Sequence, residues 1–311
     1  MQKAYVTALY DLMYQDNKVV SILSDSGTDY DNLLFREFPR QCYNIGISEQ
    51  NQVAVAAGMA TCGKIPFVYT TNAFLTYRAY EFIRNDICFQ NLNVNIIGMG
   101  SGLSWSTLGV SHHATEDIAA LRVLPNLTLL CPASPIEMGA AVIAAYHLNG
   151  PVYIRMGMGN ETEIYESDYY FEIGKNQTIK YGKDIVIFVT GSIIGDVLDA
   201  INMLEKANIN AQLVNVASLK PFDTKGTIAL CEEYDYVFSV EEHNTTGGLG
   251  SILTDILYEN QIKSKLVKIG LHNTFAKGYG THHQLKASNN LDAASIFTTV
   301  LNCVKSGKKN E

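Results

Sequence analysis

Two doubly wound open α/β sheets, the first parallel and the second in a smaller domain, are the fold class predicted for this 311-residue chain. Three observations carry that expectation. Short apolar runs rich in β-branched residues recur with helix-length segments between them. The alternation lapses once, in an acidic tyrosine-rich stretch, and then resumes. At roughly 150 residues per domain, the length supports two hydrophobic cores.

The first series of runs is VVSIL (19–23), IPFVYT (65–70), VNIIGM (94–99), LTLLC (127–131) and PVYIRM (151–156). Continuous apolar runs of this length read as parallel strands covered on both faces. Residues 49–61, 73–90 and 134–148 read as the intervening helices, and Ser134 with Glu137 three residues on has the capping-box pattern. Periodicity is lost in NETEIYESDYYFEIGKNQTIKYG, which divides a domain over 1–160 from one over 183–311, with 161–182 as linker. The second series is DIVIFVTGS, a helix at about 193–208, the run AQLVNVASLKP, a helix at about 224–233, YVFSVEEH, a helix from Gly248, and LVKIGL.

Composition narrows the function classes. A net charge of −8 with 17% charged residues removes the electrostatic case for nucleic acid. The basic cluster Lys305, Lys308 and Lys309 reads as a solvated terminus. The first twenty residues have no continuous apolar core, so neither a signal peptide nor a membrane span is expected, and a cytoplasmic home follows. The six cysteines are scattered without a CxxC pair, as reduced and mostly buried thiols would be.

In open parallel sheets, ligands sit beyond the carboxyl ends of the strands. Asp25 and Asp29 follow the first run, 70–74 follow the second, and GLSWSTLGVSHHATED (102–117) follows the third. The pair His112–His113 in that stretch reads as a metal site, a substrate loop or the start of a helix. Metal is disfavoured, because adjacent helical residues point about 100° apart and no third ligand stands at zinc spacing. His282–His283 reads as a surface or interface pair. Glu49 opens a helix of small apolar residues, VAVAAGMA. It reads either as a first-turn carboxylate favoured by the helix dipole or as a buried acid of raised pKa with a chemical task. Phe74, Tyr77 and Tyr80 fall at three-residue spacing, one side of a helix and ordinarily core. Asp25 by itself is a strand-end turn or cap.

GISEQNQVAVAAGMA, NAFLTYRAYEFIRNDI, GVSHHATEDIAALRVLPNLTLLCPAS and GPVYIRM together resemble the pyrimidine-binding domain of transketolases and 1-deoxyxylulose-5-phosphate synthases. KPFD (220–223) and VEEHNTTGGLGS (240–251) resemble the C-terminal domain of the same enzymes, so the chain is similar to the second subunit of a split transketolase. The resemblance implies thiamine diphosphate as cofactor, with Glu49 as the acid at the aminopyrimidine ring nitrogen. It places Phe74 in stacking contact with the pyrimidine, Tyr77 beside it, Tyr80 near its amino group, and Asp25 near the thiazolium. His112 takes the position of a substrate-contacting histidine. The GDG motif and later Asn that hold the diphosphate and Mg²⁺ in this family do not occur here. A partner subunit carrying them is therefore implied, with the site formed across the interface of an α2β2 assembly.

Four positions depart from the transketolase pattern. A hydroxyl-reading aspartate falls on Leu108, a phosphate-pocket histidine on Gly100, a phosphate-binding arginine on Met158 and a phosphate-binding serine on Asp29. Loss of bidentate cationic recognition and gain of a carboxylate both weigh against a phosphate. The expected reaction is transfer of a two-carbon ketol unit from a ketose to an aldehyde, with substrates that lack a terminal phosphate or are linked to a nucleotide. A decarboxylating synthase starting from pyruvate and a non-catalytic subunit of the same fold are the alternatives. An NAD enzyme is disfavoured, since no GxGxxG follows the first strand of either domain.

Overall fold

The computed structural model describes residues 1–25, 29–158, 161–166 and 169–307, with the side chains of 29–31 outside that description. The first half contributes β1 (Val19–Leu23), β2 (Cys42–Asn44), β3 (Ile65–Thr71), β4 (Asn95–Met99), β5 (Thr128–Leu130) and β6 (Val152–Met156). The second contributes β7 (Gln177–Lys180), β8 (Ile185–Thr190), β9 (Ala211–Asn215), β10 (Ser218–Lys220), β11 (Tyr236–Asn244) and β12 (Lys265–Leu271). They form a seven-stranded sheet of order β10-β5-β6-β4-β3-β1-β2 and a five-stranded sheet of order β12-β11-β8-β9-β7. Pairing is parallel except at one edge of each sheet, where β10 runs against β5 and β7 against β9. Every residue of β1, β4, β6, β8 and β9 is buried, as strands covered on both faces must be.

The run 211–221, read from sequence as one element, is two strands in different sheets. β9 ends at Asn215, and Ser218–Lys220 crosses to pair with Leu129 and Leu130 of the first sheet. Lys220 Nζ fastens the crossing by donating to the carbonyls of Arg122, at 3.0 Å, and Leu124. Short β2, with only Cys42 buried, has too little apolar sequence to be seen in advance. The helix expected over 73–90 is largely π-helical, over Phe74–Arg78 and Ile83–Cys88, flanking one α-turn at Tyr80–Phe82.

Helix Pro135–His147 begins with Ser134 Oγ accepting from Glu137 N–H, and Pro135 occupies the first turn. The capping box does not close. Glu137 turns its carboxylate to Ala133 N–H, at 2.7 Å, and to Asn215 Nδ2, at 2.8 Å, so a residue read as a local cap ties two parts of the chain together.

Helices facing inward from both sheets share one core, in which Val53, Ile83 and Leu121 join Phe188 and Leu253. Helices Gln2–Gln15 and Pro135–His147 cover the outer face of the first sheet, and Ile194–Lys206 and Ala293–Gly307 that of the second. Among the described residues no helix is long and apolar enough to cross a membrane.

Candidate active site

A cavity of about 320 Å³ opens where four parallel strands of the first sheet end. Ser24 and Asp25 follow β1, Thr70 and Thr71 end β3, Met99 ends β4, and Met158 lies beyond β6. Glu49 with Ile47, Phe74 and Trp105 complete the wall. Parallel strands present their carboxyl ends on one side, which is why residues far apart in sequence meet there.

Glu49 begins helix Glu49–Thr61 and is 1% exposed. Its Oε2 accepts from Arg78 Nη1 at 2.6 Å, and the Arg78 guanidinium lies 4.8 Å from the centroid of the Phe74 ring. A buried carboxylate beside an aromatic face suits a flat heterocycle that both stacks and hydrogen-bonds. Nothing in the spacing announces the Arg78 contact, although the arginine stands four residues after Phe74.

Phe74 and Tyr77 lie in a π-turn and Tyr80 in the α-turn that follows. In a π-turn each hydrogen bond spans five residues, so positions three apart diverge. Of the three, Phe74 alone lines the cavity. Tyr77 hydroxyl donates to Glu116 Oε2 at 2.9 Å and accepts from Glu116 N–H at 3.0 Å, and burial pushes its pKa up. Tyr80 packs against the shared core. Asp25 adopts φ +53 and exchanges hydrogen bonds with the Asn44 side chain, so it is at once a strand-end turn and part of the cavity wall.

The loop after β4 holds the two histidines in a turn that precedes helix Asp117–Arg122, so neither begins it. His112 meets Phe74 edge to face, with centroids 4.8 Å apart, and lies next to the cavity. Burial lowers its pKa. His113 is buried, and its pKa too is lowered by burial. Among the described residues no three His, Cys, Asp or Glu side chains are grouped to hold a metal ion.

Beneath the loop lies a buried polar network. Asp117 Oδ2 accepts from Arg155 Nε at 2.8 Å, Tyr153 hydroxyl at 2.6 Å and Asn72 Nδ2 at 2.9 Å. Burial alone would raise its pKa, but the charge of Arg155 and His243 holds the carboxyl below its ordinary range. Arg155 Nη2 also donates to the carbonyls of Ala114 and Glu242, joining the loop to β11. Burial pushes His243 down to about 4 and Glu241 up to about 7. Glu242 Oε1 accepts from Leu103 N–H and meets His282 Nε2 at 2.8 Å. His282 is thus pinned beneath the loop, while His283 is exposed; the pair is unequal, and only His283 is the surface residue the sequence implied.

Of the four departures, Met158 lines the cavity and Gly100 adjoins it beneath Trp105. Leu108 sits half-exposed in a 3-10 turn outside the lining, and the side chain of Asp29 lies outside the described residues. Arg155, Asp117 and Glu242 escape sequence reasoning because their roles arise only when distant segments pack. A charged residue inside an apolar strand, as in VYIRM, was the available signal.

Residues 1–161 match the family model for the transketolase pyrimidine binding domain, and residues 174–296 match that for the transketolase C-terminal domain. The chain is 32% identical over 308 residues to a putative transketolase C-terminal section of Methanocaldococcus jannaschii, covering 98% of this chain and 96% of that protein. It is 34% identical over 266 residues to a subunit of the apulose-4-phosphate transketolase of Actinobacillus succinogenes, covering 86% of each. A solved structure described as a split gene transketolase, inactive beta4 tetramer, superposes with a TM-score of 0.89 at 36% identity, covering 98% of both chains.

Proposed function

This chain belongs to the transketolase family as a subunit spanning its pyrimidine-binding and C-terminal domains, and we propose that it supplies one face of a thiamine-diphosphate-dependent ketol-transfer site. The observation that carries the reading is the cavity in which buried Glu49, Phe74 and Asp25 converge at the strand ends. The domains are taken as 1–160 and 183–311, joined by 161–182. A partner subunit with GDG and Asn motifs holds the diphosphate and Mg²⁺, in an α2β2 assembly. Relatives named as one subunit of a transketolase and as a split gene product support a two-chain enzyme.

The residues present fit the pyrimidine half of the cofactor, because a buried carboxyl and an aromatic face occupy one wall. Glu49 would hold the aminopyrimidine and share a proton with its ring nitrogen, and Phe74 would stack on it. Tyr77, its hydroxyl held by Glu116, would flank the ring, and Tyr80 would lie near its amino group. Bound there, the cofactor supplies the electron sink needed to cleave a C–C bond beside a carbonyl. His112 holds or moves a proton at the substrate carbonyl or hydroxyl, its lowered pKa favouring the neutral imidazole. Asp25 stands on the wall nearest the β1 end. The substrate is a sugar without a terminal phosphate at this end, or one linked to a nucleotide, given Met158, Gly100, Leu108 and Asp29.

Glu49→Gln tests the reading. Assembled with its partner, the variant keeps its size on gel filtration and loses ketol transfer. Unchanged turnover removes Glu49 from the mechanism, and CO₂ release from pyruvate by the unsubstituted pair moves the assignment to a decarboxylating synthase.

A further inference from the structure

Gly100 lies just beyond β4 with φ +79, and a Cβ placed on it would run into the indole Nε1 and Cδ1 of Trp105. Two constraints, the left-handed backbone and the indole lying against it, therefore keep position 100 without a side chain. The space a longer residue at 100 would enter is filled from five positions on. Trp105 also lines the cavity with Glu49, Phe74 and Met158, and its ring stands at 66° to that of His112 with centroids 6.3 Å apart.

Two further properties of this wall matter. The Trp105 Nε1–H is buried and has no acceptor among the described residues. The Nε1 edge is packed against Gly100 and is enclosed, so it is the rest of the ring that meets a ligand in the cavity. In addition, among the described residues none lining the cavity is Lys, Arg or His, whereas Asp25 and Glu49 both are carboxylates. Arg78, behind this wall, is engaged by Glu49 and the Phe74 ring, so a phosphate brought here loses its hydration beside the Asp25 carboxylate without a free bidentate cation on the lining.

We propose that Trp105 is the specificity-determining residue of this site, selecting a sugar whose distal end is an uncharged polyhydroxylated group and excluding one that ends in phosphate. The electron-rich indole packs against the C–H face of a carbohydrate. Met158, adaptable and uncharged, gives the same group an apolar bed. The inference rests on reading the cavity as a ketol-transfer site and names the class of substrate that site takes.

The test compares xylulose 5-phosphate with unphosphorylated xylulose as donors to the assembled enzyme, for the unsubstituted chain, Trp105→Phe and Trp105→Leu. The unsubstituted enzyme favours the uncharged sugar in kcat/KM. A changed apolar contact in a pocket is worth ~10–200-fold, so Trp105→Leu erodes that preference by about tenfold, more in KM than in kcat, and Trp105→Phe falls between. Because Trp105 is the chain's only tryptophan, its emission gives a second readout in the unsubstituted chain. Uncharged sugar perturbs it and sugar phosphate does not. An active enzyme that prefers the phosphate, or variants that change both donors equally, overturns the inference and leaves ketol transfer standing. An assembly inert to both sugars removes the ketol-transfer reading and this inference together.

Discussion

Arg78 donates through Nη1 to Glu49 Oε2 at 2.6 Å, joining the last residue of a π-turn to the first residue of helix Glu49–Thr61. The same guanidinium lies over Phe74. Glu49 thus enters the cavity as one member of an ion pair, with Arg78 half-exposed and Glu49 buried.

A pair so placed lies between a surface salt bridge and a buried one, and Arg78→Ala is expected to cost about 1–3 kcal/mol. Glu49→Gln with Arg78→Ala should cost less than the sum of the two single changes. Urea unfolding midpoints of the four chains measure the coupling. Simple additivity would mean that the contact contributes nothing in solution.

Arg155→Met leaves Asp117 a buried carboxylate without its cation and is expected to destabilise by about 3–5 kcal/mol, since both side chains are almost fully enclosed. Asp117→Leu added to Arg155→Met should recover part of that loss by removing the orphaned charge. Thermal unfolding of the two variants is the measurement, and a double variant less stable than the single would contradict this account.

Stability should depend on pH through His282 and Glu242. The charge of Glu242, ahead of an opposing desolvation, raises the folded pKa of His282 above 6.5. Its contribution is full below 6.5 and is lost as pH rises through the folded value. For Glu242, burial pushes upward but His282 prevails and holds the pKa below 4.5, so that contribution is present above 4.5 and fades as pH falls through the folded value. Urea midpoints should therefore decline from pH 6.5 upward, and His282→Gln should flatten that limb. An identical slope in the variant would show that the pair does not anchor the loop.

The fold was legible where one physical signal dominates. Runs such as VVSIL and IVIFVT announce buried parallel strands because they are short, continuously apolar and rich in β-branched residues. The break inside 211–221 was not legible, since β9 and β10 are both apolar and only their partners differ. The π-turn at Phe74–Arg78 was not legible either, because reading three-residue spacing as one face assumes an α-helix. His282 carried no local mark of its tie to Glu242, forty positions away in sequence.

Amino-acid order alone determined the two α/β sheets, the family and the set of residues following the strand ends, because periodicity and motif spacing are local properties of a chain. Only the tertiary structure decided that Glu49 faces Arg78, that Trp105 closes the space over Gly100, and that Arg155 joins the histidine loop to β11. Those outcomes depend on how side chains from separate elements and loops pack, where they compete for one space and buried charge must find a partner.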